Sequence, residues 1–286
     1  METQAVETPS GKGAGDENFP VGSFLIARRL RPHVAAYYAF ARAIDDIADN
    51  PALSPDEKVT RLDAMDRAVR GEHGQGNPAF AKAVALHRSL AETGVDVAHA
   101  SDLVSAFKQD AVKNRYRDWD DLIGYCLRSA SPVGRFLLEL HGEDRKGFVQ
   151  SDALCNALQV INHLQDCAKD HAALDRVYLP GGWMAAEGAD VGMLALPASP
   201  PPLRAVLDRC IAASRALMRE ADRLPGVLKD RRLAMESAVI VNVAWKLLEE
   251  LSARDPVAER VELTKWQFLG CGARGAASVL TPFGRR

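Results

Sequence analysis

The sequence predicts an all-α protein, a single domain built as a bundle of about ten helices. Apolar residues recur at spacings of three and four along most of the chain, and helix start and stop signals separate these segments. No alternating strand pattern of useful length and no internal repeat interrupts them. A hydrophobic content of 47% over 286 residues is enough for a substantial core.

The first helix is predicted over residues 32–50, PHVAAYYAFARAIDDIADN. Its apolar residues follow the helical period. Pro32 suits the first helical turn, and the dipeptide Asn50-Pro51 ends the helix.

The last turn of this helix carries Asp45, Asp46 and Asp49. Residues four apart share a helix face, so Asp45 and Asp49 point the same way. The carbonyl end of a helix disfavours anions, and like charges at this spacing repel each other. A bound divalent metal would neutralise them. The alternative is a solvated helix end with an Arg42–Asp46 ion pair.

Capping signals predict the helices that follow. Ser54-Pro55-Asp56-Glu57 forms a capping box, and Asn77 and Asp118 suit N-caps. The predicted helices after the first cover residues 55–72, 77–92, 98–112, 118–128, 131–140, 147–168, 203–223, 232–253 and about 256–269.

Glycine and proline set the remaining boundaries. Residues 169–202 contain several of both and are predicted to be a connection with at most a short helix. The polar, Gly-rich residues 1–16 are expected to be disordered and carry no signal peptide or membrane span. Residues 271–286 are expected to be loose, which leaves a domain over residues 17–270.

A second polar feature lies in the predicted helix over residues 147–168 and its continuation. Gln159, Asn162, Asp166 and Asp170 follow at steps of three, four and four, so they form one stripe on an otherwise apolar helix. A set of oxygen ligands without imidazole or thiolate favours Mg²⁺ or Mn²⁺. The alternative is the solvent-facing side of an amphipathic helix.

Composition excludes several other classes of protein. The 36 basic and 38 acidic residues nearly cancel, so no basic field indicates nucleic-acid binding. The five scattered cysteines lack a CxxC pair, which fits reduced thiols in the cytoplasm better than disulfides or zinc.

The two aspartate features together predict a reaction. If the two helices face each other, metals between them would offset the repulsion of the carboxylates and leave coordination positions open for a diphosphate. Ionisation of an allylic or cyclopropylcarbinyl diphosphate, with an aromatic-lined apolar cavity around the carbocation, fits this arrangement.

Several segments resemble the squalene/phytoene synthase family of head-to-head prenyl synthases. The matching segments occur in the family's order across about residues 17–260, and they are ENFPV, YAFARAIDD, FKQDAVKNRY, YCLRSASPVG, NHLQDC and DRVYLP. The resemblance implies an isoprenoid-synthase-like bundle with a central cavity. ENFPV, NHLQDC and SASPVG are most similar to the bacterial branch that makes hydroxysqualene for squalene and hopanoid biosynthesis.

The resemblance also implies roles for individual residues. Asp45 and Asp49 would form one metal-binding set, with Asp46 in support, and Asn162, Asp166 and Asp170 the other. The residues expected to contact diphosphate are Arg42, Gln159, Asn162 and, from a flexible loop, Arg176. Tyr38 and Tyr125 would line the cavity near the cation.

One departure from the family pattern bears on the substrate. Gln165 stands where squalene and phytoene synthases carry arginine, and its neutral side chain would handle a second prenyl diphosphate poorly. This fits an enzyme that ionises presqualene diphosphate with Mg²⁺ and lets water capture the cation, without NADPH. A functional partner would be a presqualene diphosphate synthase, and contact with a membrane surface near Trp183 is a further expectation.

Other classes compete with this interpretation. Within the family the alternatives are a presqualene diphosphate synthase or a squalene synthase acting on farnesyl diphosphate, and a phytoene-type synthase. A chain-elongating prenyltransferase would need a second DDxxD motif, and a di-iron bundle would need Glu-x-x-His pairs. A helical interaction module would leave both aspartate sets unexplained.

Overall fold

The computed structural model describes residues 25–280, and it confirms the all-α fold class for them. The sequence expectations for residues 1–16 and 281–286 lie outside the described residues. The helices are α1 (Arg31–Asp49), α2 (Pro55–Val69), α3 (Ala81–Thr93), α4 (Ala98–Asp110), α5 (Trp119–Ser129), α6 (Ser131–Leu140), α7 (Phe148–Gln165), α8 (Cys167–Leu174), α9 (Gly181–Glu187), α10 (Pro201–Ala221), α11 (Leu224–Val227), α12 (Arg231–Ala253) and α13 (Lys265–Leu280).

The described residues form two compact units. The first comprises residues 25–112 together with Arg135–Arg145, and the second comprises Lys113–Gly134 together with residues 146–280. The extent of the synthase domain, residues 17–270, stays a prediction.

Helix α1 supplies much of the core of the first unit and packs against α2, α3 and α4. Phe40, Ile44 and Ile47 are fully buried, as the apolar period predicts. The Tyr37 ring stacks on Phe136 with ring centroids 4.0 Å apart, and its hydroxyl donates to the carbonyl of His99 at 3.1 Å. These contacts fix the rotation of α1 about its axis, and therefore the direction of the aspartates in its last turn.

The second unit is built around α7, which packs against α5, α10 and α12. A small parallel sheet lies beside it, in which β1 (Arg115–Tyr116) pairs with β2 (Val177–Pro180). The sequence indicates neither strand, because two-residue and four-residue segments are too short to show a strand period. All four residues of β2 are buried, so this part of the predicted connection belongs to the core.

The C-terminal boundary predicted from the sequence is wrong. The chain has no helix at Pro256; helix α13 begins at Lys265 and continues to Leu280, through residues expected to be loose. Thr264 and Gln267 form a capping box, in which the Gln267 side-chain oxygen accepts from the Thr264 amide at 2.8 Å. That Thr-x-x-Gln pattern is the signal that the sequence analysis missed.

None of the helices in residues 25–280 combines the length and the apolar character needed to cross a bilayer. Within this part of the chain, all five cysteines are present as free thiols.

We expect the thiols to differ sharply in reactivity. Burial raises the pKa of Cys167 to about 12 and also raises the pKa of Cys210, whereas Cys155 is only half-buried. Because the thiolate is the nucleophile, Cys155 should react first with an aromatic disulfide reagent, and Cys167 and Cys210 only after denaturation. The C155S variant should lose the fast phase. Peptide mass spectrometry that finds early modification of Cys167 in the native protein would contradict this assignment.

Candidate active site

In the first unit, the predicted site residues lie on one helix, α1. Arg42 Nη1 lies 2.6 Å from Asp45 Oδ2, and Arg42 Nη2 lies 3.3 Å from Asp46 Oδ1. The guanidinium is therefore shared between the two carboxylates. The Arg42–Asp46 pair that the alternative interpretation expected is present, but the helix end is not simply solvated, because the side chain of Asp46 is only 7% exposed.

The three aspartates differ in accessibility. Asp46 is buried, whereas the side chain of Asp45 is 24% exposed and Asp49 is half-buried. Asp45 and Asp49, one helical turn apart, thus remain the two carboxylates that a ligand could reach. Tyr38, one residue beyond the buried Tyr37, is also half-buried.

In the second unit, the polar stripe keeps its spacing although the helix does not continue as predicted. Helix α7 ends at Gln165 and α8 begins at Cys167, with Asp166 between them at φ −104° and ψ 10°. The Asp166 amide still donates to the Asn162 carbonyl at 3.0 Å, and the Asp170 amide to the Asp166 carbonyl at 2.8 Å. Asn162, Asp166 and Asp170 therefore succeed one another by single helical turns across the break.

The degree of burial of the stripe argues against an ordinary surface face. Gln159, Asn162, Asp166 and Asp170 are all half-buried, while Ile161 and Leu164 beside them are in the core. A solvent-facing side of an amphipathic helix would be largely exposed. The four polar side chains are therefore only partly accessible to solvent.

Asp166 is paired with a cation that the sequence analysis did not find. Arg260 Nε lies 2.9 Å from Asp166 Oδ1, and Arg260 Nη2 donates to Oδ2 at 3.4 Å. The contact with Oδ1 has ion-pair distance without hydrogen-bond alignment, and this buried oxygen accepts no hydrogen bond from the described residues. Arg260 follows Asp166 by 94 residues, so no local spacing connects them.

Gln165, the residue that departs from the family pattern, is almost fully buried. Its side-chain amide donates to the main-chain carbonyl of Val261 at 2.5 Å. This hydrogen bond ties the segment that carries Arg260 to the end of α7. Position 165 therefore carries no guanidinium, but Arg260 from another segment places one beside Asp166.

Arg176 lies directly before β2 and is buried, whereas the flexibility expected of its loop stays a prediction. Its amide donates to the Asp170 carbonyl at 3.3 Å. Its guanidinium also acts on His163: burial, with a contribution from the charge of Arg176, lowers the pKa of His163 to about 3. Together these contacts place Arg176 beside α7 and α8.

The predicted cavity residue Tyr125 belongs to an aromatic cluster. Its ring centroid lies 5.4 Å from that of Tyr116, 5.7 Å from Tyr178 and 6.0 Å from His163. His163 stacks on Tyr178 at 3.5 Å, and the Gln159 amide lies 3.2 Å from His163 Nε2, close enough to donate to it. His163 therefore packs within this aromatic cluster.

Among residues 25–280, no three His, Cys, Asp or Glu side chains gather at metal-ligand distance. The predicted donors are all oxygens, and Mg²⁺ is commonly held by one or two carboxylates together with water and substrate phosphate. Asp166 Oδ1 lies 2.9 Å from Arg260 Nε without an aligned hydrogen bond, so it keeps acceptor capacity for such an ion.

Comparison with known proteins decides the family. The squalene/phytoene synthase family profile matches residues 13–267. The chain belongs to the squalene/phytoene synthase family. It is therefore an enzyme of that family.

Two relatives of the family carry the same name. The chain is 43% identical to a hydroxysqualene synthase of Zymomonas mobilis over 95% of this chain and 91% of the relative. It is also 43% identical to a hydroxysqualene synthase of Rhodopseudomonas palustris over 99% and 96% of the two chains.

Solved structures agree on the fold. The squalene synthase of Alicyclobacillus acidocaldarius superposes with a TM-score of 0.70 at 32% identity, covering 80% of this chain and 85% of that chain. A dehydrosqualene synthase superposes with a TM-score of 0.77 at 20% identity, over 93% and 92%. The latter supports the fold alone.

The buried histidine should make stability sensitive to acid. The unfolded chain binds a proton at the ordinary His163 pKa of 6.5, while the folded chain resists protonation until about pH 3. Stability is therefore lost as pH falls below the unfolded value. The expected loss from this group is about 2 kcal/mol between pH 8 and pH 5.

Urea unfolding of the wild type and of H163F tests this. The phenylalanine keeps a ring on Tyr178 but cannot titrate, so its free energy of unfolding should fall less over the same pH range. H141F serves as the control, because it removes a half-buried histidine from another helix. Parallel pH dependence of wild type and H163F would contradict the assignment.

Proposed function

We propose that this family member ionises presqualene diphosphate with the help of Mg²⁺ and adds water, which yields hydroxysqualene and diphosphate. The observation that carries the proposal is the 43% identity, over more than nine tenths of each chain, to two proteins named hydroxysqualene synthase. The accessible carboxylates of α1 and the half-buried stripe of α7 and α8 support it.

In this proposal the metal ligands are Asp45 and Asp49 in one unit and Asn162, Asp166 and Asp170 in the other. Mg²⁺ is favoured, with Mn²⁺ as the substitute, because every donor is an oxygen. When bound, the metal supplies charge stabilisation to the departing diphosphate. That the two sets oppose each other stays a prediction.

Arginines would complete the binding of the diphosphate. We assign this role to Arg42 and Arg176, with Gln159 and Asn162 as hydrogen-bond donors. Arg42 lies 2.6 Å from Asp45, which is one of the proposed metal ligands. Its guanidinium would therefore be close to a diphosphate bound to that metal. Arg176 is buried, so its charge is weakly screened and acts strongly on an anion nearby.

The chemistry after binding requires an apolar surface that tolerates a carbocation. Tyr125 and its neighbours Tyr116 and Tyr178 offer aromatic faces, which attract cations, and Tyr38 is assigned the same role. His163 contributes by staying neutral, because its pKa of about 3 keeps a competing positive charge away from the cluster.

The reaction balances without a reductant. The bond between carbon and the diphosphate oxygen breaks, and the electron pair leaves with diphosphate. The rearranged carbocation then takes the oxygen of water, and one proton of that water passes to solvent. No hydride enters, so NADPH is not expected.

A second candidate function is favoured by Arg260. The guanidinium 2.9 Å from Asp166 Oδ1 supplies a cation near the position where Gln165 lacks one. This would help with a second prenyl diphosphate. The alternative is therefore a squalene or presqualene diphosphate synthase acting on farnesyl diphosphate, and the likeness to a squalene synthase at 32% identity points the same way. A phytoene-type synthase is the more distant alternative.

Two further expectations accompany the proposal. A presqualene diphosphate synthase would act before this enzyme, and both would operate in the cytoplasm at or near a membrane, since substrate and product are lipids. No nucleic-acid partner is expected from the near-neutral charge.

A product assay tests the reaction. Purified protein with Mg²⁺ should convert presqualene diphosphate to hydroxysqualene at the same rate with and without NADPH, as followed by mass spectrometry of the extract. Incubation with farnesyl diphosphate alone should give no product. Accumulation of presqualene diphosphate or squalene from farnesyl diphosphate would establish the second candidate instead.

Isosteric variants test the proposed metal ligands. D45N and D166N should each lower the rate of diphosphate release by at least about 100-fold, because each loses a charged oxygen ligand. D208N is the matched control, since Asp208 is an exposed partner of Arg204 on α10, and it should retain the wild-type rate. Thermal melts with and without Mg²⁺ and inorganic diphosphate would separate lost binding from lost folding. Full activity of D166N would refute its role.

A further inference from the structure

Helix α13 has two apolar sides, and within the described part of the chain only one of them packs against another element. The inner side packs on α12, where a Cβ on Gly275 would lie 2.6 Å from the Val239 nitrogen and 2.8 Å from the Ala238 carbonyl carbon. On the same side Cys271 is buried. Glycine therefore lets the two helix backbones approach closely, and α13 is held along its length.

The start of α13 is fixed as well. Beyond its capping box with Thr264, Gln267 donates from its side-chain amide to Glu250 Oε1 on α12 at 2.7 Å. The orientation of the helix about its own axis is thereby set, and the remaining side faces outward.

The outward side is an apolar stripe. Trp266 is 82% exposed, and Leu269 and Leu280 are each 60% exposed. Ala273 and Ala277 are exposed between them. At 100° per residue, these five positions fall within an arc of about 80°. Packing among residues 25–280 does not explain a tryptophan and two leucines on one exposed face.

Basic side chains border this stripe on both sides. Lys265 and Arg274 are exposed and lie at about 100° and 80° from Trp266, on opposite sides. From Lys265 to Arg286 the sequence has four basic residues and no acidic one. The nearest preceding acidic side chain, Glu262, is paired with Arg260 at 2.5 Å.

We propose that the outward side of α13, defined by Trp266, Leu269, Ala273, Ala277 and Leu280, docks the enzyme on an anionic lipid surface. The helix would lie in the plane of the interface, with the stripe among the acyl chains and Lys265 and Arg274 at the lipid phosphates. A tryptophan at the boundary suits this depth. The site differs from the one expected near Trp183, whose ring is occupied by Trp119 at 5.4 Å and by the guanidinium of Arg209 at 4.5 Å.

The charge pattern favours lipid over a second copy of the chain. A self-complementary protein interface would bring the same bordering cations together, and this helix offers no acidic residue to pair with them. An anionic bilayer supplies the missing negative charge. The inference rests on the proposed function only for its purpose, which is access to a lipid substrate.

Vesicle flotation without substrate tests the proposal separately from the reaction. The full chain should float with vesicles of phosphatidylcholine and phosphatidylglycerol and stay below with phosphatidylcholine alone. W266Q/L269Q should weaken partitioning by at least about tenfold, and K265Q/R274Q should weaken it on anionic vesicles. All these side chains are exposed, so folding should be retained.

Matched controls distinguish the face from general stickiness. V112Q/V149Q removes two apolar side chains that are 66% and 62% exposed elsewhere, and R223Q/K229Q removes two other exposed cations. Both controls should bind like the wild type. Activity on detergent-dispersed substrate should be unchanged in W266Q/L269Q.

Three results would overturn the proposal. They are failure of the wild type to float with anionic vesicles, equal loss in V112Q/V149Q, and a dimer in light scattering that W266Q/L269Q converts to monomer. The last result would assign the face to a second copy. If the wild type floats but gives no hydroxysqualene, the surface stands and the proposed reaction fails.

Discussion

The arrangement of the candidate site depends on how carboxylates are compensated at the ends of largely apolar helices. An isolated carboxylate in such a place is costly, and the cost falls when a cation lies beside it. Arg42 takes this role at the end of α1, within 2.6 Å of Asp45. Arg260 takes it at Asp166, within 2.9 Å. Each unit therefore carries its own arginine beside a carboxylate. A bound metal would provide part of the charge compensation that these arginines provide.

The break between α7 and α8 serves the same arrangement. Asp166 leaves the regular helix, yet its amide and carbonyl keep the one-turn connections to Asn162 and Asp170. Gln165, immediately before the break, uses its amide to hold the Val261 carbonyl at 2.5 Å. Gln165, which in the sequence stands where an arginine was expected, thus stabilises the position of the segment around Val261. The positive charge beside Asp166 comes from Arg260, which neighbours the Val261 carbonyl that Gln165 binds.

Much of the fold was predictable because its helices are long and strongly periodic. The start of α1 and the capping box of α2 were predicted within a residue or so of their observed positions. The strands β1 and β2 were not, since a two-residue strand has no period. Helix α13 was misplaced because Pro256 suggested an earlier start, while the Thr264–Gln267 capping box went unused.

The sequence by itself determined the fold class, and it predicts a set of oxygen ligands. Both follow from residues that are close together in the sequence. A helical period can be recognised within a few turns, and Asp45 and Asp49 share a helix face because of their spacing. Only the tertiary structure decided which cation lies beside Asp166, because Arg260 is 94 residues away and is positioned by a buried hydrogen bond. It also decided that α13 has an outer apolar side. Sequence shows that Gly275 and Trp266 lie on opposite sides of a helix, but only packing shows which of them faces α12.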